Sequence, residues 1–247
     1  MVASDNIVQT NNSPLIRTAP LLSFIVPVLN EADSIECFLQ TLRACCGQQC
    51  EIIVVDGGSN DATTTLATPY CDQVIVSARG RAMQMNAGAR CSSGALLCFV
   101  HADSTLPPAA DQNIRAALGN GGRQWGRFDV RLSGRHPLLR IVERLMNWRS
   151  RLTGIATGDQ ALFMTRELFE SAGGFPEIAL MEDIAMSRKL KSLGPPACLS
   201  KKLIASARRW EQNGVMRTIV LMWKLRLLYF LGADPARLAQ RYYGRGV

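Results

Sequence analysis

Two stretches decide the fold: SFIVPVLNE at residues 23–31 and EIIVVDGGSNDAT at residues 51–63. Each begins with a short apolar run and ends in a polar cluster that contains Asn or Asp. An apolar run of this length, bounded by turn residues, predicts a buried strand. The interval between the two runs has room for one helix, so together they predict a βαβ unit with parallel strands.

The residues around these stretches continue the alternation of strands and helices. Asp33 is the predicted N-cap of the first helix, and Glu36 stands where a capping box requires it. Strands are predicted at residues 73–76 and 95–100, with a helix at 80–90 between them. The predicted fold class is therefore α/β, with a Rossmann-like, mainly parallel sheet flanked by helices.

The second half of the chain is less regular and still predicts two strands and two helices, at residues 125–131, 137–153, 161–165 and 181–193. No long linker interrupts the pattern. We expect one domain over residues 21–210, a flexible N-terminus at 1–20, and a helical C-terminal extension, 211–247, packed on the domain.

Composition restricts the class of partner. The 247 residues carry a net charge of +8, which favours anionic partners such as nucleotides, phosphorylated compounds or acidic membranes. Aromatic residues make up only 6% and are scattered, so the chain lacks the stacking platform of a nucleic-acid-binding module, and no nucleic-acid partner is expected. The first twenty residues lack a signal-peptide pattern, which predicts a cytoplasmic location and free thiols at the eight cysteines.

Acidic residues follow two of the predicted strands. In parallel sheets, ligands bind outside the carboxyl ends of the strands, where Asp56 and Asp103 are expected. Asp56 fits either a hydrogen bond to a ribose or base, or an ordinary turn before two glycines. Asp103 fits either a divalent cation on a diphosphate, or a turn before Pro107.

Three further sets of polar residues can be interpreted either as structural features or as parts of an active site. Glu182 and Asp183 begin a predicted helix, where the helix dipole stabilises acids; one of them is also a candidate general base. Asp159 is either a loop residue or an acceptor-positioning carboxylate. The 208–210 segment, Arg-Arg-Trp, is either a solvated basic face or a phosphate clamp.

The order of the motifs resembles glycosyltransferase family 2. The resemblance rests on SFIVPVLNE, VVDGGSNDAT (54–63), HAD (101–103), GGF (173–175), MED (181–183) and RW (209–210), and covers most of the chain. The stretches GRAMQMNAGA (80–89), HADS, GDQALFM (158–164) and SARRWEQNGVMRT (206–218) are also similar to a bacterial subgroup described as radical-SAM/selenodomain-associated or arsenosugar-biosynthesis glycosyltransferases.

The resemblance implies a GT-A fold and a nucleotide-sugar donor, a UDP- or GDP-sugar, with an unidentified acceptor. It implies catalysis at Asp183 with Glu182 beside it, and acceptor or diphosphate contacts at Asp159, Arg209 and Trp210. The implied donor-binding residues are Pro27, Asn30, Glu31, Asp56, Arg79, Arg81, Asn86, Ala102 and Asp103.

Two positions depart from the family pattern. His101 replaces the first acid of the DxD metal motif, so the implied Mn²⁺ or Mg²⁺ is expected at Asp103, with His101 either a second ligand or a structural residue. Ser206 stands where a QxxRW motif has Gln, so processive polymer synthesis is not indicated. The resemblance implies an inverting transfer in which Asp183 deprotonates the acceptor.

Two rival functions remain at this point. A sugar-phosphate nucleotidyltransferase also uses a Rossmann-like sheet, but the chain lacks the Gly-rich loop with a following Lys near its first strand. A non-catalytic relative that only binds a nucleotide sugar agrees with His101, whereas the retained Asp183 favours an enzyme.

Residues 215–231 are strongly apolar, yet they contain three basic residues and so make a poor membrane-spanning helix. On a helical wheel Lys224 lies near Arg217, and Arg226 lies on the opposite side. We expect this helix to pack on the domain with Arg226 paired or facing the site. The pattern leaves peripheral contact with the inner face of a membrane open.

Overall fold

The computed structural model describes residues 21–119 and 122–244. Within these ranges it contains the strands β1 (Leu22–Val28), β2 (Cys50–Asp56), β3 (Gln73–Val76), β4 (Leu96–Phe99), β5 (Ser104–Thr105), β6 (Trp125–Leu132), β7 (Phe163–Thr165) and β8 (Ala197–Ala205). The helices are α1 (Ile35–Ala44), α2 (Thr63–Ala67), α3 (Arg81–Cys91), α4 (Ala110–Gly119), α5 (Pro137–Thr153), α6 (Arg166–Ser171), α7 (Glu182–Leu193), α8 (Arg208–Asn213), α9 (Val215–Phe230) and α10 (Pro235–Tyr243).

The strands form a single sheet in the order β3-β2-β1-β4-β7-β6-β8-β5. β1 pairs in parallel with β2 and β4, and β2 pairs in parallel with β3. β6 and β8 are also parallel, whereas β7 runs antiparallel to both of its neighbours and β5 runs antiparallel to β8. The predicted α/β fold with a mainly parallel sheet is confirmed.

The first predicted helix cap is wrong by one residue. Ser34, not Asp33, is the N-cap of α1, and its side chain makes no capping bond to the helix. Its hydroxyl donates instead to the Glu31 carboxylate at 2.9 Å. The predicted capping box with Glu36 is therefore absent, although Ile35, Phe38, Leu39 and Leu42 of α1 are buried as their spacing predicts.

Helix α3 lies unusually close to the strands it covers. A Cβ atom on Gly88 would lie 2.4 Å from Ile25 Cγ2 and 2.9 Å from Val55 Cγ2, so only glycine permits this approach. One turn earlier, buried Gln84 donates from Nε2 to the carbonyls of Val28 and Val55, at 2.8 Å each. The amide thereby ties the end of β1 to β2, and Gly57 N also donates to the Val28 carbonyl at 3.0 Å.

The C-terminal helices pack against the domain near the start of α7. Leu225 of α9 and Leu238 of α10 share an apolar cluster with Leu180, Met181 and Ile184. The domain boundary at residues 210/211 remains a prediction, and α8 runs across it. The predicted flexible N-terminus, residues 1–20, lies outside the described residues. In the part of the chain that the structure describes, no helix is both long and apolar enough to cross a membrane.

The close approach at Gly88 predicts a strong effect of a single methyl group. We expect Gly88→Ala to lower the free energy of unfolding by about 1–3 kcal/mol, because α3 must move away from β1 and β2. Urea denaturation measures the change. Gly119→Ala is the matched control, since a Cβ at that helical position meets nothing within 4 Å. Equal midpoints for the two variants would show that α3 moves freely.

Candidate active site

Two cavities adjoin at the carboxyl ends of β1 and β4. The strand-end cavity, about 390 Å³, lies between these strand ends and the start of α3. The acid-pair cavity, about 410 Å³, lies between the start of α7 and the C-terminal helices. Both volumes fall in the range of small-molecule sites. Four residues line both cavities, which are Glu31, Arg81, His101 and Asp103.

The strand-end cavity contains most of the predicted donor-binding residues. Pro27 comes from the end of β1, Arg79 from the loop before α3, and Ala102 from the segment after β4. Gly80 has φ +139°, a conformation suited to glycine, and it turns the chain into α3 immediately before Arg81. These residues come together because the first three parallel strands end at the same edge of the sheet.

His101 is buried at the floor of both cavities. Burial and the neighbouring charge of Arg81 lower the pKa of His101 to about 3, so the imidazole is neutral at physiological pH. Gly158 passes so close that a Cβ there would lie 2.5 Å from His101 Cε1. His101 Nδ1 lies 3.9 Å from Asp159 Oδ1, which brings this predicted acceptor residue to the metal motif.

Glu182 and Asp183 open α7 and face the second cavity. Met181, at φ +70°, turns the chain sharply into the helix, and Asp183 Oδ2 accepts a hydrogen bond from Gly158 N at 2.7 Å. Glu182 is only 5% exposed. Burial and the charge of Asp183 raise the pKa of Glu182 to about 7.

The acid-pair cavity holds charges of both signs. Burial and the charge of Asp103 raise the pKa of Asp159 to about 6. Arg226 of α9 also lines the cavity, as predicted, and burial lowers its pKa. Arg81 stands between the two cavities; burial acts to lower its pKa, but the neighbouring Tyr243, Glu182 and Asp159 outweigh this effect and raise it. A site of this kind suits a substrate that carries both anionic and hydroxyl groups.

Residues near the C-terminus complete the site, and sequence reasoning did not find them. Ala239 and Tyr243 of α10 line the strand-end cavity, and Tyr242 lines the acid-pair cavity. The Arg209 guanidinium lies 3.7 Å from the centre of the Tyr242 ring and donates to the Tyr242 carbonyl at 3.1 Å. Arg209 thus holds α10 over the site while Trp210, next to it, lines the cavity.

Three predicted donor-binding residues are occupied by the protein itself. The Asn86 amide donates from its nitrogen to the Phe175 carbonyl and accepts at its oxygen from Phe175 N, which links α3 to the Gly-Gly-Phe loop; its contact with the nucleotide stays a prediction. Asn30 Oδ1 accepts from Asn60 N and joins the loops after β1 and β2. Asp56 accepts from the backbone of Gly58 and Ser59, an Asx-type turn that leaves its carboxylate buried.

The family model described as glycosyl transferase family 2 matches residues 23–169, more than half of the chain. The chain belongs to this family. It is also 25% identical over 244 residues to the probable glycosyltransferase YdaM of Bacillus subtilis, a match that covers 88% of this chain and 56% of the Bacillus protein. The chain thus spans little more than half the length of that relative.

Solved structures of glycosyltransferases share the fold. A mannosyltransferase of Pyrobaculum calidifontis in complex with GDP-Man and Mn²⁺ superposes with a TM-score of 0.59 at 24% identity, over 76% of this chain and 57% of that one. TarS of S. aureus in complex with UDP-GlcNAc gives a TM-score of 0.63 at 19% identity, over 75% of this chain and 58% of that one. At these identities the likeness establishes the GT-A fold.

The residues present fit a divalent cation that is bound together with a diphosphate. The described ranges contain no cluster of three His, Cys, Asp or Glu side chains that could hold a metal ion. Asp103 and the neutral imidazole of His101 supply at most two ligands. Because Mg²⁺ and Mn²⁺ at phosphoryl sites take one or two protein ligands and the rest from phosphate and water, this donor set is sufficient only when the diphosphate is present.

The raised pKa of Glu182 predicts a pH-dependent cost to stability. A carboxyl group with a raised pKa in the folded state holds its proton more tightly there, so stability falls as pH rises between about 4.5 and about 7. We expect Glu182→Gln to remove this fall and to be the more stable protein at pH 8, by about 1–3 kcal/mol. Thermal unfolding of both proteins between pH 5 and pH 8 measures it, and parallel curves would contradict it.

Proposed function

We propose that the chain transfers a sugar from a UDP- or GDP-sugar to an acceptor hydroxyl, with inversion at the anomeric carbon. The observation that carries the proposal is the junction of the two cavities at Glu31, Arg81, His101 and Asp103. A donor that lies across this junction has its nucleotide in the strand-end cavity and its sugar beside the acid pair. Family membership and the fold support the donor class.

The nucleotide is proposed to lie along the carboxyl ends of β1 and β4. Pro27 and Ala102 supply apolar contacts, and Arg79 and Arg81 supply guanidinium donors for the diphosphate. Asp56 is proposed to contact the ribose or base. Its buried carboxylate already accepts from Gly58 N, Ser59 N and the Ser59 hydroxyl, and because two carboxylate oxygens have about four acceptor sites, one further bond is available.

The chemical step is proposed to be a direct displacement. The acceptor oxygen forms a bond to the anomeric carbon as the bond from that carbon to the diphosphate oxygen breaks, and the electron pair leaves with the nucleoside diphosphate. The acceptor proton passes to Asp183, whose position at the start of α7 is fixed by the Gly158 N–H. Arg81 stabilises the charge that develops on the leaving group.

Asp103 and His101 are proposed to hold Mn²⁺ or Mg²⁺ once the diphosphate is bound. The cation would supply additional charge stabilisation to the leaving diphosphate. Asp159 and Arg209 with Trp210 border the acid-pair cavity and are proposed to position the acceptor. Membership of the radical-SAM/selenodomain-associated subgroup is also a proposal, supported by the sequence motifs, and the cytoplasmic location is a proposal from the sequence pattern.

The donor set predicts that metal binding depends on the nucleotide. Because Asp103 and His101 leave most of the coordination to phosphate, we expect Mn²⁺ affinity to rise at least about tenfold when UDP or GDP is present. Isothermal titration of Mn²⁺ with and without nucleotide measures the difference. Asp103→Asn is expected to abolish it, and Asp33→Asn, at an exposed acid outside both cavities, is expected to preserve it. If Mn²⁺ bound with the same affinity in the presence and in the absence of nucleotide, the proposal of a metal site shared by the protein and the diphosphate would be contradicted.

If Asp183 is the general base, its loss should lower the rate of sugar transfer and leave donor binding intact. Asp183→Asn keeps a hydrogen-bond acceptor for Gly158 but cannot take a proton. We expect it to slow nucleoside diphosphate release from the bound donor by about 100-fold or more, with donor affinity within about threefold of wild type. A thermal-shift panel of UDP- and GDP-sugars with Mn²⁺ identifies the donor first, and a coupled assay then follows release.

Glu177→Gln is the matched control, since this acid is exposed and lies six residues before Asp183 outside both cavities. Two results would overturn the proposal. One is that no nucleotide sugar binds, with or without metal. The other is that Asp183→Asn releases diphosphate at the wild-type rate, which would favour a different base or a non-catalytic relative.

A further inference from the structure

A third cavity, the α5/α9 groove, opens beside the acid-pair cavity. It measures about 350 Å³ and is lined mainly by apolar side chains of α5 and α9. Asp159, Trp210, Met222 and Arg226 line both this groove and the acid-pair cavity, so the two spaces adjoin. Whatever occupies the groove therefore lies within reach of the proposed reaction centre.

The groove continues outward as an exposed apolar surface. On α5, Ile141, Leu145, Trp148 and Leu152 recur at helical spacing and are 48–65% exposed. On α9, Val220, Trp223, Leu227 and Phe230 form a second such stripe, 55–66% exposed. Two exposed apolar stripes on the helices that line the groove, in a chain with +8 net charge, indicate a binding surface.

The inner end of the groove carries cationic donors without partners. Arg149 Nε and Nη2 and Arg226 Nε are buried and have no hydrogen-bond partner among the described residues. Burial and the charge of Arg226 lower the pKa of Arg149 to about 10, so the two guanidinium groups repel each other. Buried donors of this kind are costly unless an acceptor satisfies them, and an anion satisfies both groups at once.

We infer that the acceptor is an anionic amphiphile, with its hydrocarbon chain in the α5/α9 groove, its anionic group on Arg149 and Arg226, and its reacting hydroxyl beside Asp183. The inference rests on the proposed function and adds the substrate class. The apolar walls of the groove fit a hydrocarbon chain, and the guanidinium atoms without partners fit an anionic group. Asp159 lines both the groove and the acid-pair cavity, so an acceptor in the groove lies next to the acid pair. Transfer then follows the displacement described above, with the acceptor proton passing to Asp183.

Dodecyl phosphate, titrated below its critical micelle concentration, is the probe for the full chain. Three of the four tryptophans, Trp148, Trp210 and Trp223, line the groove, and the fourth, Trp125, is buried elsewhere, so intrinsic fluorescence reports occupancy directly. We expect a saturable change with dodecyl phosphate. Butyl phosphate, which lacks the chain, and dodecyl maltoside, which lacks the charge, are each expected to bind at least about tenfold more weakly.

Two variants test separately the contact with the hydrocarbon chain of the acceptor and the contact with its anionic group. Leu145→Gln changes an exposed groove residue, and Arg149→Gln removes one of the unpartnered guanidinium groups; each is expected to weaken dodecyl phosphate binding at least about tenfold. Leu193→Gln is the matched control, since this leucine is equally exposed on α7 and does not line the groove. Because Leu145 and Leu193 are both about half exposed, both variants are expected to fold.

The same proteins are tested for nucleotide-sugar binding by thermal shift, which separates the two proposals. Donor binding that survives in Leu145→Gln, with dodecyl phosphate binding lost, supports the inference. Donor binding without any dodecyl phosphate binding overturns the inference and leaves the proposed function intact. Absence of donor binding in every protein overturns the proposed function, and with it the acceptor role of the groove.

Two further measurements would reveal a different occupant of the α5/α9 groove. Binding to phosphatidylglycerol vesicles without binding to monomeric dodecyl phosphate would make this face a membrane-docking surface and overturn the inference. A dimer in analytical ultracentrifugation that Leu145→Gln dissociates would identify a second copy of the chain as the occupant, with the same consequence.

Discussion

The close packing of α3 on β1 and β2 is the constraint on which the site depends. Gly88 brings the helix to within contact of the strand side chains, and this distance allows the Gln84 amide to reach the carbonyls of Val28, the last residue of β1, and Val55, the last but one of β2. The amide therefore links the two strands where they end. Arg81, almost one turn before Gln84, then faces the space that their ends leave open.

Several ionisable groups in and beside the two cavities have shifted pKa values in the protein without a ligand. Removal from water and neighbouring acids raise the pKa values of Glu182 and Asp159, while removal from water lowers those of Arg149 and Arg226, with the charge of Arg226 adding to the effect on Arg149. Each shift marks a group that the folded chain holds at a cost. Such costs are typical of binding sites, where a substrate supplies the missing charges and hydrogen bonds.

The first half of the fold was predictable because its strands are short, apolar and separated by helices with regular spacing. The β1, β2 and β4 runs are buried on both faces, so each reads as an uninterrupted apolar segment. β8 was missed because Lys201 and Lys202 lie in it and both are exposed, which removes the apolar signal. α4 was missed because only a few of its residues are buried.

The candidate site was predicted where strand ends carry it and missed where the tertiary fold supplies it. Asp103 and Asp183 follow recognisable motifs, whereas Tyr242 and Tyr243 reach the cavities only because α10 folds back across the domain. No local pattern contains that information. Asn86, which its motif predicts to contact the donor, lines neither cavity, and its amide bonds the Phe175 backbone.

In helix α9 the structure explains an amphipathic pattern that the sequence left ambiguous. On the helical wheel, Arg226 opposite Arg217 and Lys224 spoils a two-faced surface helix, and this made its amphipathic character hard to read. In the structure Arg226 lines the cavities, where the charges of Asp183 and Asp159 only partly offset the lowering of its pKa by burial, so it no longer counts against the exposed face. What remains outside is an apolar stripe bordered by exposed Arg217 and Lys224, and this face adjoins the groove in which we place the acceptor.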